Sequence, residues 1–248
     1  MSVIYFLCLR QVKRYLRART RMIGALGQPI LFLLAMGFGL GPTFRKAGGG
    51  NYIQFLTPGI VMMGILFTAV FTGVEIIWDR QFGFLKEMLA APVSRFSIVL
   101  GRTLGGAAVS LVQGFFVLAA CCAAGFRVEH PGLIPLAFLF MFLSALLFTA
   151  VGTAIGSVLE DMQAFPLIMN FLVMPLFFFS GALFPAEGLP RALEIAMHFN
   201  PLTYGVDGLR GALCHGRLFG FWTDFLVLGS LTGVLLAVGS FLFSRIEP

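Results

Sequence analysis

Residues that could carry covalent chemistry are few in this chain, and their spacing does not suit it. Ser180-Gly181 is followed by His198 and His215, which in an intramembrane hydrolase would act as nucleophile and base. No HExxH or GxSxG accompanies them and no acid–base pair falls at membrane depth, which weighs against that reading. Cys8, Cys121, Cys122 and Cys214 show neither metal-ligand spacing nor a disulfide framework. The chain has no GxxxxGK[ST], and so no phosphate-cradling loop of the P-loop kind. No catalytic residue, metal or cofactor is assigned to it.

What remains is charge and aromatic rings grouped outside long apolar runs. The longest polar interruption is DRQFGFLKEMLAAPVSRFSIVLGR, from Asp79 to Arg102. Wound at about 100° per residue, it places Phe82, Leu85 and Leu89 on one face and Arg80, Phe84 and Glu87 on the other. Pro92 restricts Ala91 and ends this short helix, and Ser94 can cap the next. One reading is a loop helix joining two spans; the other is a docking helix whose Phe84, between two charges, is covered by a soluble partner. A second charged stretch opens the chain, with Ile4, Cys8, Val12 and Tyr15 on one side of a helix and Arg10, Lys13, Arg14, Arg17 and Arg21 on the other. Residues 1–21 read as an interfacial helix whose Arg10, Lys13, Arg14 and Arg17 face anionic headgroups, or as a basic tail that only sets topology. Val3 to Leu9 is too short an apolar patch for a secretory signal.

The elements that must position these groups follow from composition. Of 248 residues, 58% are hydrophobic and 11% charged, with a mean hydropathy of +0.94, which excludes a soluble globular domain. The apolar runs suit helices crossing a hydrocarbon core of roughly 30 Å. The fold class is an all-α integral membrane protein forming one membrane domain over residues 1–248. Its six spans fall at 22–41, 52–77, 97–125, 132–159, 162–184 and 221–243. Gly101, Gly105 and Gly106, and again Gly152 and Gly156, provide small-residue faces for close helix packing. Pro166 and Pro175 kink or break the fifth span. The net charge of +6 is concentrated beside the spans, which points to anionic lipid as the partner and not to nucleic acid.

Between spans five and six, the stripes Leu189, Leu193, Ala196, Met197 and Leu202, Val206, Leu209, Leu213 predict two short helices separated at Asn200-Pro201. Asp207 and Arg210 are close enough along the second to pair. The alternative is an external cap with no role in transport. An even number of spans puts both termini on one side. The N-terminus, the Asp79–Arg102 stretch and the C-terminus hold most of the Lys and Arg, so that side is cytoplasmic.

The motifs DRQFGFLKEMLAAPVSR followed by IVLGR, and SGALFP followed by LP and NPLTYGVDGLR, occur in order among these spans. On them the chain resembles the permease subunit of type-2 ATP-binding-cassette exporters, most closely the daunorubicin-resistance branch, over nearly its whole length. The resemblance implies that Asp79, Arg80, Gln81, Phe82, Gly83, Phe84, Lys86 and Glu87 form the coupling helix against the ATPase. It implies an outer gate built from Ser180, Gly181, Phe184, Pro185, Asn200, Pro201, Tyr204 and Arg210. ATP and magnesium would be bound by a separate ATPase chain, and a second copy of this chain would complete the pathway in a bacterial-type inner membrane. The expected function is export of an amphipathic, drug-like or lipid-like substrate. The alternative within the family is export of a lipid-linked glycan. Ion-coupled transport calls for ionisable groups inside the spans, which are almost without them.

Overall fold

The computed structural model describes residues 2–46, 50–83, 94–159, 161–185, 190–214 and 216–244. Every regular element among them is helical. Helix α1 (Ser2–Arg17) stops at Ala18, one residue before Arg19, which sits on the wrong side of the amphipathic pattern. Helix α2 (Arg19–Phe32) contains Pro29, which withholds one N–H, and beyond it the ladder widens into a π-helical turn over Leu33–Phe38. The first long helix therefore runs 19–38 rather than 22–41, and Arg19 and Arg21 lie on it. A short α3 (Gly41–Lys46) follows.

Helix α4 (Tyr52–Phe71) begins at Asn51, whose side chain accepts from the Ile53 N–H at 3.1 Å, and is almost wholly enclosed. It breaks at Thr72-Gly73 and resumes as α5 (Val74–Gln81). Helix α6 (Arg95–Ala123) is capped by Ser94, which accepts from the Ser97 N–H at 3.2 Å. A turn at Pro131–Leu133 leads into α7 (Ile134–Val158). Then come α8 (Ala164–Phe178), the short helices α9 (Arg191–Phe199) and α10 (Pro201–Leu213), and α11 (Phe221–Ser244).

Among the described residues, five helices are long and apolar enough to cross a membrane: 19–38, 52–81, 95–123, 131–158 and 221–243. The expected fifth span, 162–184, instead holds the 15-residue α8. At 1.5 Å per residue it rises only about 22 Å, less than a hydrocarbon core of roughly 30 Å. Its end follows Pro175, and the chain then turns through Ser180 and Gly181, which has φ +68°.

The core lies where α4, α6, α7, α8 and α10 meet, around Leu56, Ile60, Met62, Phe140, Phe148, Phe165, Phe177 and Leu209. In a bilayer the unpacked alternative is lipid, not water, so what holds these helices together is close fit more than removal of apolar surface from water. Glycine permits that fit at the α4–α5 break. A Cβ on Gly152 would come 2.5 Å from the Val70 carbonyl oxygen, and Gly73 and Gly156 abut across the same contact. On the other side of the bundle, α1 lies across α6 at Gly101 and Gly105, where an added Cβ on Gly105 would meet the Cys8 Cα at 3.1 Å.

Candidate functional site

The chemistry-bearing side chains gather at the two ends of the bundle. At the end carrying α1 and α5, Glu75 is buried and is the focus of a polar cluster. Its Oε1 takes Arg21 at 3.0 Å and Arg14 at 3.4 Å, and its Oε2 accepts from Gln11 at 3.3 Å. Tyr15, fully packed under α1, donates to Gln113 on α6. The basic helix is thus bolted to the bundle by its polar side as well as its apolar one. Arg14 is engaged with protein, and Arg10, Lys13 and Arg17 are exposed.

Four residues along, Asp79 pairs with the buried Arg102 of α6. The next residue, Arg80, donates to the carbonyls of Ser157 at 2.8 Å and Leu159 at 3.3 Å, closing the C-terminal end of α7. Trp78 Nε1 donates to the Met162 sulfur at 2.8 Å. The stretch expected to begin an independent docking helix therefore begins as the last turn of α5, tied to α6 and α7. That helix ends at Gln81, because Gly83 takes φ +75° and the N–H groups of Phe82 and Gly83 bond back to Trp78 and Arg80. Phe82 is 82% exposed in this turn, and Leu85 and Leu89, expected on the same face, lie outside the described residues. Phe84, Lys86 and Glu87 lie outside the described residues.

At the opposite end, α9 and α10 meet at Asn200. Its carbonyl oxygen accepts from the Leu202 N–H at 3.0 Å while its amide donates to the Leu176 carbonyl at 2.6 Å, so one side chain caps α10 and holds α8. Pro201 opens α10 at a position that needs no N–H. Helix α10 packs into the core: Gly208 rests on the Phe140 ring and Gly205 on Ser144. Arg210 is buried and donates to the Gly181 carbonyl at 2.9 Å, with its guanidinium carbon 4.3 Å from the centre of the Phe55 ring.

The anticipated Arg210–Asp207 pair is not formed. Both Asp207 oxygens are taken by backbone N–H groups, from Leu218 at 2.6 Å and Phe219 at 2.7 Å. Burial raises the Asp207 carboxyl above its ordinary value despite those two bonds, and burial lowers the Arg210 guanidinium. Tyr204 donates to the His198 carbonyl at 2.8 Å and stacks on Phe219. The Tyr52 hydroxyl donates to the Leu183 carbonyl at 3.1 Å, so α4 and α10 both grip the Ser180–Leu183 turn. Phe184 and Pro185 lie exposed just beyond it. An apolar cavity of about 460 Å³, with Pro175, Phe178, Phe184 and Met197 in its walls, opens beside this turn.

Among the described residues Ser180 and His198 are not brought together as a hydrolase pair, and His215 lies outside those residues. The buried Ser180 hydroxyl donates to the Phe177 carbonyl at 2.7 Å and accepts from the Ala182 N–H, while the His198 ring is held by the Glu194 carbonyl and the edge of Phe219. Burial pushes the Cys214 thiol up to about 12, so it is no nucleophile. Among the described residues no group of three or more His, Cys, Asp and Glu could hold a metal ion.

Sequence reasoning missed three features. Glu75 has three partners, from residues 54 to 64 positions away, which no local spacing announces. Arg102 was counted only as a basic residue. Asp224, in the first turn of α11, is fully buried with neither carboxylate oxygen hydrogen-bonded. Its only signal was an acid placed beside an apolar run.

Comparison with known proteins agrees with this architecture. The ABC-2 type transporter family profile matches residues 2–214. A protein named transport permease ycf38 from Cyanophora paradoxa is 30% identical over 201 residues, covering 78% of this chain and 68% of that protein. Nodulation protein J of Rhizobium leguminosarum bv. trifolii is 27% identical over 195 residues, covering 78% and 74%. The inner membrane transport permease YadH of Escherichia coli K12 is 27% identical over 182 residues, covering 73% and 70%. With a family profile spanning most of its length, an all-helical membrane bundle and relatives named as permeases, the chain belongs to the ABC-2 type transporter family.

Proposed function

We propose that this chain is half of an export pathway for an amphipathic, drug-like or lipid-like substrate, driven by ATP hydrolysis on a separate ATP-binding-cassette subunit. Two copies with two ATPases make the working unit. Both termini and the segment after Gln81 face the cytoplasm. The observation that carries the reading is the wiring of α5. Asp79 joins Arg102 on α6, and Arg80 joins the last carbonyls of α7, just before the segment where the partner would press. A displacement applied beyond Gly83 therefore passes directly into two long helices. Helix α7 also packs on α10 through Phe140 and Gly208, which supports reading the Arg210–Gly181 contact as the far end of the same mechanical line.

The test is reconstitution of the chain with its ATPase in vesicles, with ATP-dependent movement of a fluorescent amphiphile read across the bilayer. Transport is expected with both subunits and ATP, and Arg80→Ala should hydrolyse ATP at a near-normal rate while moving little substrate. Full transport by the permease without an ATPase contradicts the reading.

A further inference from the structure

A cavity of about 420 Å³ separates the α1–α2 elbow from the α4–α5 junction, within the usual size range of small-molecule pockets. It has two unlike ends. At one, Arg21 meets Glu75; at the other, Pro29 approaches Gly64, where an added Cβ would lie 3.7 Å from the proline ring. Arg21 and Pro29 are eight residues apart on one helix, so the cavity runs for about 12 Å. Its walls include Ala25, Phe67, Phe71 and Trp78, and Gln28 and Thr68 are the polar side chains further in.

The charged end is not balanced. Two guanidinium groups, of Arg14 and Arg21, share the single Oε1 of Glu75. The arginine side chains are 44% and 37% exposed and Glu75 only 10%, so the cations are what the outside meets. Arg14 also borders a second depression of about 500 Å³ lined by Arg10, Lys13, Arg17 and Ala18. Arg21 reaches Glu75 through Nη1, which leaves further N–H donors in the plane suited to a phosphate. A soluble anion would satisfy those donors and leave the apolar walls empty. A neutral lipid would fill the walls and ignore the charge.

We propose that this cleft binds one anionic membrane phospholipid, its phosphate on the Arg14, Arg17 and Arg21 side and an acyl chain in the cavity. The site joins the α1–α2 elbow to the helix break that leads into α5. The proposal rests on the chain being embedded in a membrane and not on what the chain exports, so it is tested by binding alone.

The full chain, purified in neutral detergent, is titrated with phosphatidylglycerol, with phosphatidylcholine and with glycerol phosphate, and thermal midpoint and native mass are read. Phosphatidylglycerol should raise the midpoint and persist as a single lipid adduct, while the other two do neither. Lys13→Gln with Arg17→Gln should weaken binding about fivefold for each cation removed. Gly24→Leu adds bulk at the cavity wall, where a Cβ meets nothing within 4 Å, in a helix that favours leucine over glycine, so the variant should fold and lose the lipid shift. Equal responses to both phospholipids, a full response to glycerol phosphate, or wild-type lipid binding by Gly24→Leu overturns the proposal.

Discussion

Arg210 is costly to remove at the α9–α10 end of the bundle, because its charge is buried against a carbonyl and a ring and not against a carboxylate. Arg210→Met keeps the stem and deletes the bond to Gly181. The loss should be about 1 to 3 kcal/mol, because a buried carbonyl is left without its donor. Export should fall further than thermal stability does, and normal export would make the α9–α10 segment a passive cover. Asp207 makes a separate prediction. Its carboxyl is raised by burial, so the native state holds that proton more tightly than the unfolded chain does. Stability therefore falls as pH rises from the ordinary carboxylate value of about 3.9 through the raised one, and is flat above it. Thermal melts of wild type and Asp207→Asn across that rise should show wild type losing ground to the variant. Ground gained instead would contradict the burial effect.

The closest helix approaches at the α4–α5 break are made where glycine allows them, and that is testable by pairing a crowded glycine with an open one. Gly152→Ala would drive a methyl group into the Val70 backbone, which cannot retreat as a flexible side chain could. Overpacking of that kind typically costs about 1 to 3 kcal/mol, and a contact with backbone belongs at the upper end. Gly24→Ala meets nothing within 4 Å and should stabilise α2 by up to about 1 kcal/mol through propensity alone. Thermal denaturation of both variants checks the pair, and equal melting temperatures would mean that the α4–α7 contact is not tight.

The same elements show what was legible in the sequence. Hydropathy revealed the all-helical membrane class because backbone groups in a bilayer must be satisfied within a helix. Asn200-Pro201 marked the α9–α10 junction because capping chemistry is local. Gly101 and Gly105 marked a close approach, though not that α1 would be the helix making it. What stayed hidden depended on distant partners or on a single dihedral angle. Periodicity carried a helix straight through Gly83, where a positive φ ends it, and no spacing rule links Glu75 to Arg14 and Arg21. Asp207 and Arg210, three apart on one helix, looked like a pair until the backbone of Leu218 and Phe219 claimed the acid.

At the scale of the whole molecule, the two ends are linked by α7, whose last carbonyls hold Arg80 and whose Phe140 supports Gly208 of α10. A chain wired in this way, with no nucleotide loop of its own, should show no ATP hydrolysis alone and should acquire it only in complex with an ATPase. The most direct measurement is capture of that ATPase by the purified permease, read beside the permease's own melting temperature, for wild type, Phe84→Ala and Glu87→Lys. The account predicts that wild type retains the ATPase, and that both variants lose it at an unchanged melting temperature, because a buried aromatic anchor is worth about 2 kcal/mol or more at an interface. Normal capture by both variants would contradict it, and the segment after Gly83 would then be a loop that joins two spans without carrying the ATPase.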